Sequence, residues 1–447
     1  MRHSIQLSLT APAIDHEHAA ELTAISEILD SEPRIARLVD QDLLRRCKTN
    51  AGTGRPGLTG DQVLRMAVVR QMNGWTFEEL AFHLADSLSY RTFCRVGFLH
   101  KSPSKATIAE NIKLLREKSM AKINTMLVKS AAARQLDNGE TVRIDSTVVR
   151  SPIHAPTDSS LLSDCVRVLA RSLRRVEKWT GFDCFHVHIK RAKRRLIEIQ
   201  HAKPHETRKR SVGYRDLLTL AEATVGYAAC ALAHTASEKS EAVRRLRLKM
   251  EETIELTARV MDQTRRRIID GQTVPATEKV VSIFETHTDV IVKDNRETYY
   301  GRKIFLTGGK SGLILDCAVV KGNPADSAWT VPMIERHKKN FGAAPLQASY
   351  DGAFASKENL AKAKELGVVD MCFAKRRGIA VLDMVRETWI YKKLRAFRAG
   401  IESIISWLKR SFGLSRCVWK SAESFVAYVR IGVLAANLLI LARHRLA

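Results

Sequence analysis

Three acidic residues lie in sequence contexts where a carboxylate needs a chemical explanation: Asp145, Asp351 and Glu402. Asp145 interrupts the β-branched run TVRIDSTVV, although Asp is disfavoured in the middle of strands. Asp351 follows the short stretch PLQASY, and Glu402 lies between Arg398 and Lys409 in FRAGIESIISWLKR. Carboxylates are the ligands that Mg²⁺ or Mn²⁺ prefers. The positively charged side chains of Arg398 and Lys409 could neutralise a phosphate.

Each of these residues also has a simpler explanation when it is taken alone. Arg398 and Glu402 are four residues apart, which is the spacing of a common surface ion pair on a helix. An Asp at the end of a strand, such as Asp145, often accepts hydrogen bonds from a neighbouring loop. A metal site is therefore predicted only if the fold brings the three carboxylates together.

The charge balance favours a polyanionic partner. The 447 residues include 73 Lys and Arg against 48 Asp and Glu, a net charge of +25. Nucleic acid is the usual partner of so basic a chain. An anionic membrane surface is the competing partner, but no basic helix carries an apolar face rich in Trp or Phe.

Cysteine usage and hydropathy favour a cytoplasmic protein, and a nucleic-acid partner would make it nucleoid-associated. The eight cysteines are scattered singly, as expected of free thiols in a reducing compartment. The N-terminus lacks the long apolar core of a signal peptide. The longest apolar run, 431–442, is broken by Asn437 and is too short to span a bilayer, so a buried terminal helix is predicted.

The first third of the chain predicts short helices joined by tight turns. Residues 15–50 have helical composition and lead into the glycine-rich stretch 51–57. Thr59, Thr76 and Ser104 are predicted N-caps of three further helices, the first of which ends at Asn73-Gly74. The pattern is compatible with a DNA-binding helix-turn-helix and equally with a generic helical bundle.

The remaining elements position the acidic residues. The strand at 141–149 is followed by a basic helical block, whose most cationic part is 188–210. Strand character returns at 278–292, then come a hairpin (297–320), a helix, a strand ending at Asp351, a helix (356–366), a strand (368–373) and a helix at 392–412. This order predicts an α/β fold with a ribonuclease H-like catalytic core. Ligands of open α/β sheets gather at the carboxyl ends of the strands.

The chain resembles a DDE transposase of a bacterial insertion sequence, and most resembles the ISNCY-type group. The stretches that carry the resemblance are RIDSTVV, IHAPTDSSLLSDCVRVLAR, GNPADS, ASYDGAFASKENLAKAKELGVVDMCFAKRRG, FRAGIESIISWLKR and the N-terminal GDQVLRMAVVRQMNGWTFEELAFHLADS. Arg395 stands where such enzymes often have a Tyr, and Gly400 allows the last helix to begin later than residue 392.

The resemblance implies that Asp145, Asp351 and Glu402 are the catalytic and metal-binding triad, with Arg398 and Lys409 contacting DNA. It implies Mg²⁺ or Mn²⁺ as cofactor, with two ions, and double-stranded DNA (element ends and target) as partner. Joining two ends requires a homodimer or a higher oligomer. The expected reaction is metal-dependent cleavage and strand transfer at the terminal inverted repeats. The alternatives are a structure-specific nuclease with the same core and a non-catalytic DNA-binding regulator derived from a transposase.

The predicted organisation has four parts. They are an N-terminal helical domain that is a candidate DNA-binding domain (1–135), a ribonuclease H-like core (136–160 with 278–415), a basic helical insertion after the first core strand (161–277) and a C-terminal helix that packs on the core (416–447).

Overall fold

The computed structural model describes residues 16–45, 57–97, 100–203, 205–293 and 297–447. They form a mixed α/β protein with a helical N-terminal region. The chain divides into two compact units: the first comprises residues 1–150 and 302–447, and the second comprises residues 151–301. Most of the predicted glycine-rich stretch 51–57 lies outside the described residues.

The N-terminal part of the first unit is helical, and its predicted caps are confirmed. Thr59 and Thr76 each form a reciprocal capping box with the residue three positions on, and Ser104 accepts a hydrogen bond from the Thr107 amide. Gly74 ends its helix with a positive φ of 65°, which glycine adopts at little cost. The helices are α1 (Glu17–Asp30), α2 (Arg34–Leu44), α3 (Gly60–Asn73), α4 (Phe77–Asp86), α5 (Leu88–Phe93), α6 (Lys105–Ile112) and α7 (Glu117–Ala133).

The mixed sheet of the first unit has the order β4-β3-β1-β5-β6. Strands β1, β5 and β6 run parallel, whereas β3 and β4 form the predicted antiparallel hairpin. The strand β3 begins in the second unit, where its first five residues pair with β2. The strands are β1 (Thr141–Arg150), β2 (Asp289–Lys293), β3 (Glu297–Gly308), β4 (Ile314–Val319), β5 (Gln347–Tyr350) and β6 (Asp370–Phe373).

The strand prediction for 278–292 is wrong over most of its length, because only β2 is extended there. The side chain of Ser282 accepts hydrogen bonds from the amides of Phe284 and Glu285, and the Thr288 amide donates to the Glu285 carbonyl. These local hydrogen bonds compete with a strand ladder. Val280 and Val281 are buried without belonging to a sheet, whereas Phe284 is exposed.

The second unit contains the basic helices that the sequence predicted between the first strand and the hairpin. They enclose two apolar clusters, and one short π-helical segment, Arg265–Ile269, follows the last of them. Asp158 is buried against Gln263 and Arg267. The helices are α8 (Asp158–Thr180), α9 (Ile189–His201), α10 (Thr207–His234) and α11 (Glu241–Thr264).

A long C-terminal helix fills the core of the first unit. Its Asn437 is fully buried, accepts a hydrogen bond from the Ile314 amide and donates to the Ile314 carbonyl, so it satisfies the backbone of the edge strand β4. The remaining helices are α12 (Thr330–Phe341), α13 (Lys357–Glu365), α14 (Val381–Met384), α15 (Thr388–Ser411) and α16 (Ala422–Leu446).

Within the described residues, two helices are long and apolar enough to cross a membrane by length and composition: α10 and α16. The apolar window of α16 is 83% buried and that of α10 is 39% buried. The core helix of a soluble protein passes the same test, and α16 packs as such a helix, as predicted for the C-terminus. The seven cysteines in the described part of the chain are free thiols.

One buried histidine should make the stability of the first unit depend on pH. His337 is 2% exposed and stacks on Phe341 with ring centroids 4.4 Å apart. Burial lowers the pKa of His337 to about 4, against the opposing effects of Asp316 and Asp137. The unfolded chain therefore binds this proton below about pH 6.5, whereas the folded protein does not until about pH 4. The contribution to stability is complete above pH 6.5 and is lost as pH falls.

The variant His337→Phe removes the titrating group and keeps the stacked ring. Between pH 7 and pH 5, wild-type protein should lose about 2 kcal/mol more of its free energy of unfolding than this variant. Urea denaturation at both pH values measures the difference. Equal losses in the two proteins would exclude His337 as the group responsible.

Candidate active site

Two neighbouring parallel strands place the first two acidic residues side by side. The last registered pair between β1 and β5 is Ile144 with Tyr350, so Asp145 is the next residue on β1 and Asp351 directly follows the end of β5. Ile144 and Tyr350 are fully buried, which anchors both backbones in the core beneath the sheet. Asp145 is 16% exposed in its side chain, and its Oδ1 accepts the Ser146 N–H at 2.7 Å.

The helix α15 brings the third acidic residue. It begins at Thr388, earlier than the predicted 392, and continues through Gly400 without interruption. Its predicted apolar stripe is buried at Leu394, Ile401, Ile404 and Leu408. Glu402 lies beside this stripe with its side chain 62% exposed, so it can reach a ligand from solvent.

All three carboxylates meet at one nitrogen of Arg398. The Nη2 atom lies 3.5 Å from Asp145 Oδ2, 3.5 Å from Asp351 Oδ1 and 3.0 Å from Glu402 Oε1. Any two of these oxygens are therefore separated by no more than twice 3.5 Å. The sequence interpretation of Arg398 and Glu402 as a lone surface ion pair is too simple, because the guanidinium is shared among three carboxylates and is only 15% exposed.

The donor set of this site fits a hard divalent cation, because three carboxylates supply only oxygen ligands. In this structure the Arg398 guanidinium, 3.0–3.5 Å from the three carboxylates, is the positive charge that balances them. Among the residues that the structure describes, no group of three or more His, Cys, Asp or Glu side chains has an arrangement that could hold a metal ion. The Nε atom of Arg398 is buried without a hydrogen-bond partner, so this side chain is not held by a full set of bonds.

The position of Lys409 differs from that of Arg398. It lies on the same helix, about two turns beyond Glu402, and is half-buried. The Trp407 ring packs edge-to-face against Phe412 with centroids 4.6 Å apart. Trp407 therefore contributes to the packing of the helix end.

Sequence reasoning missed Arg143, which locks α15 against β1. Its Nη1 donates to the Phe397 carbonyl at 3.2 Å, and its guanidinium lies 4.6 Å from the centre of the Phe397 ring. Burial lowers the pKa of Arg143 below its ordinary value. A Cβ on Gly400 would lie 1.8 Å from Arg143 Nη1, so glycine is needed for this close approach. The signal in the sequence was a glycine inside an otherwise regular amphipathic helix.

Phe397 is the aromatic residue nearest to the position where related enzymes often have a Tyr. Its half-buried ring lies under Arg143, so it serves the packing of the helix on the sheet. Arg395, which stands at the tyrosine position itself, is exposed.

Two family models match the chain. Residues 262–438 match a Transposase DDE domain, and residues 12–114 match a Transposase domain (DUF772). The first match contains Asp351 and Glu402 and begins after Asp145. No curated protein and no solved structure matches the chain. The two models do not distinguish the ISNCY-type group, which stays a prediction.

A transposase DDE domain implies a nucleotidyl-transfer enzyme that acts on DNA, and enzymes with this domain generally use divalent metals. The helical N-terminal region and the mixed sheet are consistent with this assignment. The chain therefore belongs to the DDE transposases of insertion sequences.

Proposed function

We propose that this transposase binds the terminal inverted repeats of its insertion sequence, cleaves DNA at the element ends and transfers the freed strand to target DNA. Asp145, Asp351 and Glu402 would be its catalytic, metal-holding residues. The observation that carries the proposal is the meeting of these carboxylates at one guanidinium nitrogen, although they come from distant parts of the chain. Three like charges assembled so closely need a cation, which is the arrangement expected before divalent ions bind.

The sheet supports a ribonuclease H-like core. The order β4-β3-β1-β5-β6, with an antiparallel hairpin on one side and parallel strands on the other, is the order that such a core requires. The proposed domains are residues 1–135, 136–160 with 278–415, 161–277 and 416–447. The compact unit at residues 151–301 supports an insertion after the first core strand.

The three carboxylates would hold two Mg²⁺ or Mn²⁺ ions. Such a pair, when bound, lowers the pKa of an attacking water and stabilises the leaving oxygen. Asp145 on β1 and Asp351 directly after β5 would supply two ligands at the sheet, and the exposed Glu402 would complete the set from the helix. Arg398 would move to a DNA phosphate once the ions neutralise the carboxylates, and Lys409 would bind the backbone farther along the helix.

Removal of Arg398 should strengthen metal binding in the absence of DNA. Its positive charge lies 3.0–3.5 Å from the three carboxylates and competes with a divalent ion. Water reaches part of the site and weakens the repulsion between Arg398 and a bound ion. We therefore expect Arg398→Gln to raise the Mn²⁺ affinity by about tenfold. Isothermal titration with Mn²⁺ measures this change.

Arg395→Gln is the matched control, because Arg395 is exposed on the same helix and loses the same charge. It should leave the Mn²⁺ affinity unchanged. If Arg398→Gln binds Mn²⁺ no more tightly than this control, Arg398 does not stand in for the metal ions.

The net charge of +25 supports the backbone of double-stranded DNA as the partner. Joining two element ends would require a homodimer or a higher oligomer, and a cytoplasmic, nucleoid-associated location would follow from this partner. The N-terminal helices, α3 and α4 among them, are the candidate DNA-binding part.

The decisive experiment is incubation of the full chain with the DNA that flanks its own gene and Mg²⁺, followed by mapping of nicks and of joined strands. Transposition predicts nicks at the element ends and products joined to target DNA. Cleavage without joined products would indicate the structure-specific nuclease. Binding without either would indicate the non-catalytic regulator.

A further inference from the structure

A cleft of about 750 Å³ lies in the first unit, beyond the end of α15. One wall is the α3–α4 turn, and the other is the segment 413–420 that follows α15. The volume is within the range of small-molecule binding sites, roughly 300–1,000 Å³. Its lining combines four cations and four aromatic rings, and no acidic side chain among the described residues lines it: Arg70, Lys113, Arg416, Lys420, Trp75, Phe77, Trp419 and Tyr428.

Two buried donors in this cleft have no hydrogen-bond partner. They are Arg70 Nε and Trp419 Nε1, on side chains of residues that are only 6% and 3% exposed. Unpaired buried donors are costly, and a cation without a carboxylate is more costly still. The Arg70 guanidinium instead lies 4.3 Å from the centre of the Phe77 ring. Arg70 and Trp419 both line the cleft, with the two unpaired nitrogens buried in its wall.

The aromatic wall adds a surface for a planar group. Trp75 is half-buried and lines the cleft. Its indole stacks on His83 with centroids 4.0 Å apart and meets Tyr90 edge-to-face at 4.8 Å. Stacking on aromatic side chains is the usual way in which proteins hold an unpaired nucleobase. Cations beside aromatic rings therefore fit a ligand that is anionic and planar at once.

We infer that this cleft binds one unstacked nucleotide of a DNA strand, with its phosphate toward Arg70 and its base against Trp75. The inference rests on the proposed action on DNA and names a second contact for the same substrate. The cleft includes Gly413, two residues beyond the end of α15. Glu402 and Gly413 are separated by about 16 Å along the helix, which corresponds to about five nucleotide steps of a strand. A strand held at the candidate active site can therefore reach the cleft.

The test compares three probes in binding to the full chain: a labelled twelve-residue thymidine oligonucleotide, the same strand made of abasic residues, and inorganic phosphate. The nucleotide cleft predicts that the thymidine strand binds about 5- to 150-fold more tightly than the abasic strand, the range of one base-stacking contact. Trp75→Leu should remove most of this preference. Equal binding of the two strands, or full displacement of the thymidine strand by millimolar phosphate, would overturn the nucleotide assignment.

A charge-matched pair of variants avoids the folding risk at the buried Arg70. Lys113 and Lys420 are exposed at the cleft, whereas Lys338 and Lys339 are exposed on α12 and do not line it. The double variant Lys113→Ala/Lys420→Ala should weaken binding of the thymidine strand about tenfold and lower the salt slope by about 1.4. Lys338→Ala/Lys339→Ala should change neither. Equal effects of the two double variants would overturn the inference.

Glu402→Gln separates this inference from the proposed function. It should bind the thymidine strand like wild-type protein and fail to cleave element ends. Cleft variants that bind normally, together with an inactive Glu402→Gln, would reject the cleft alone. A fully active Glu402→Gln would reject the proposed catalytic site. The cleft would then stand or fall with the binding tests of the thymidine strand and the lysine variants.

Discussion

Asp145→Asn should reduce Mg²⁺-dependent DNA cleavage by about 10³-fold or more, with the protein still folded. Asp145 lies deepest of the three carboxylates at 16% side-chain exposure, and its backbone is fixed by the parallel pairing of β1 with β5. Loss of one anionic ligand removes several kcal/mol of the charge stabilisation that bound metals supply, and about 4 kcal/mol corresponds to this factor. Single-turnover cleavage of the element end, at saturating protein, measures it.

Asp370→Asn is the matched control for this substitution. Asp370 is fully buried on β6 and pairs with Arg386. The registered pair Gln347 with Asp370 stands at the start of β5 and β6, whereas Asp351 follows the end of β5. The control therefore removes a buried charge from the same sheet, at the ends of the strands opposite to Asp351. It should lower stability and leave cleavage per folded molecule nearly unchanged.

A change of ligand type gives an independent test of metal binding. Asp145→Cys should be inactive with Mg²⁺ and partly active with Mn²⁺, because a thiolate is a softer ligand that Mg²⁺ binds poorly. Cleavage by Asp145→Asn within tenfold of wild-type protein would contradict the catalytic assignment.

Arg65→Leu should destabilise the first unit by about 3 kcal/mol or more. Arg65 is fully buried on α3, where its guanidinium donates to Asp61 at 2.9 Å, to Asp30 at 2.7 Å and to the carbonyl of Phe93 at 3.2 Å. Asp30 and Asp61 are 45% and 19% exposed and also pair with Arg95, so the cost arises mainly at the buried arginine itself. The substitution removes its packing and leaves the buried Phe93 carbonyl without this donor, and the two losses together typically cost about 3–5 kcal/mol. Urea denaturation followed by circular dichroism measures the loss.

The control is Arg34→Ala, which removes an exposed arginine paired with Glu32 on the same helical part of the chain. Exposed pairs contribute little to stability, so the denaturation midpoint should stay at its wild-type value. If Arg65→Leu unfolds at the same urea concentration as this control, the buried network does not hold α1, α3 and α5 together.

Local patterns predicted much of the secondary structure. The caps at Thr59, Thr76 and Ser104 were predictable because a capping hydrogen bond joins residues only three positions apart. The hairpin of β3 and β4 was predictable for the same reason, because its two strands follow each other directly in the sequence. The error at 278–288 has the same origin, since the apolar, β-branched composition of that stretch gave no sign that the Ser282 hydroxyl would bind two amides.

The amino-acid sequence alone determined the types and chain positions of the three acidic residues, the basic charge and the family resemblance. Their assignment as a catalytic triad stays a prediction. Only the tertiary structure decided that Arg398 points at all three carboxylates, that Arg143 packs against Gly400, and that Arg70 and Trp419 face a shared cleft. These contacts join residues from distant parts of the chain, and their geometry depends on how strands and helices pack, which no local periodicity specifies.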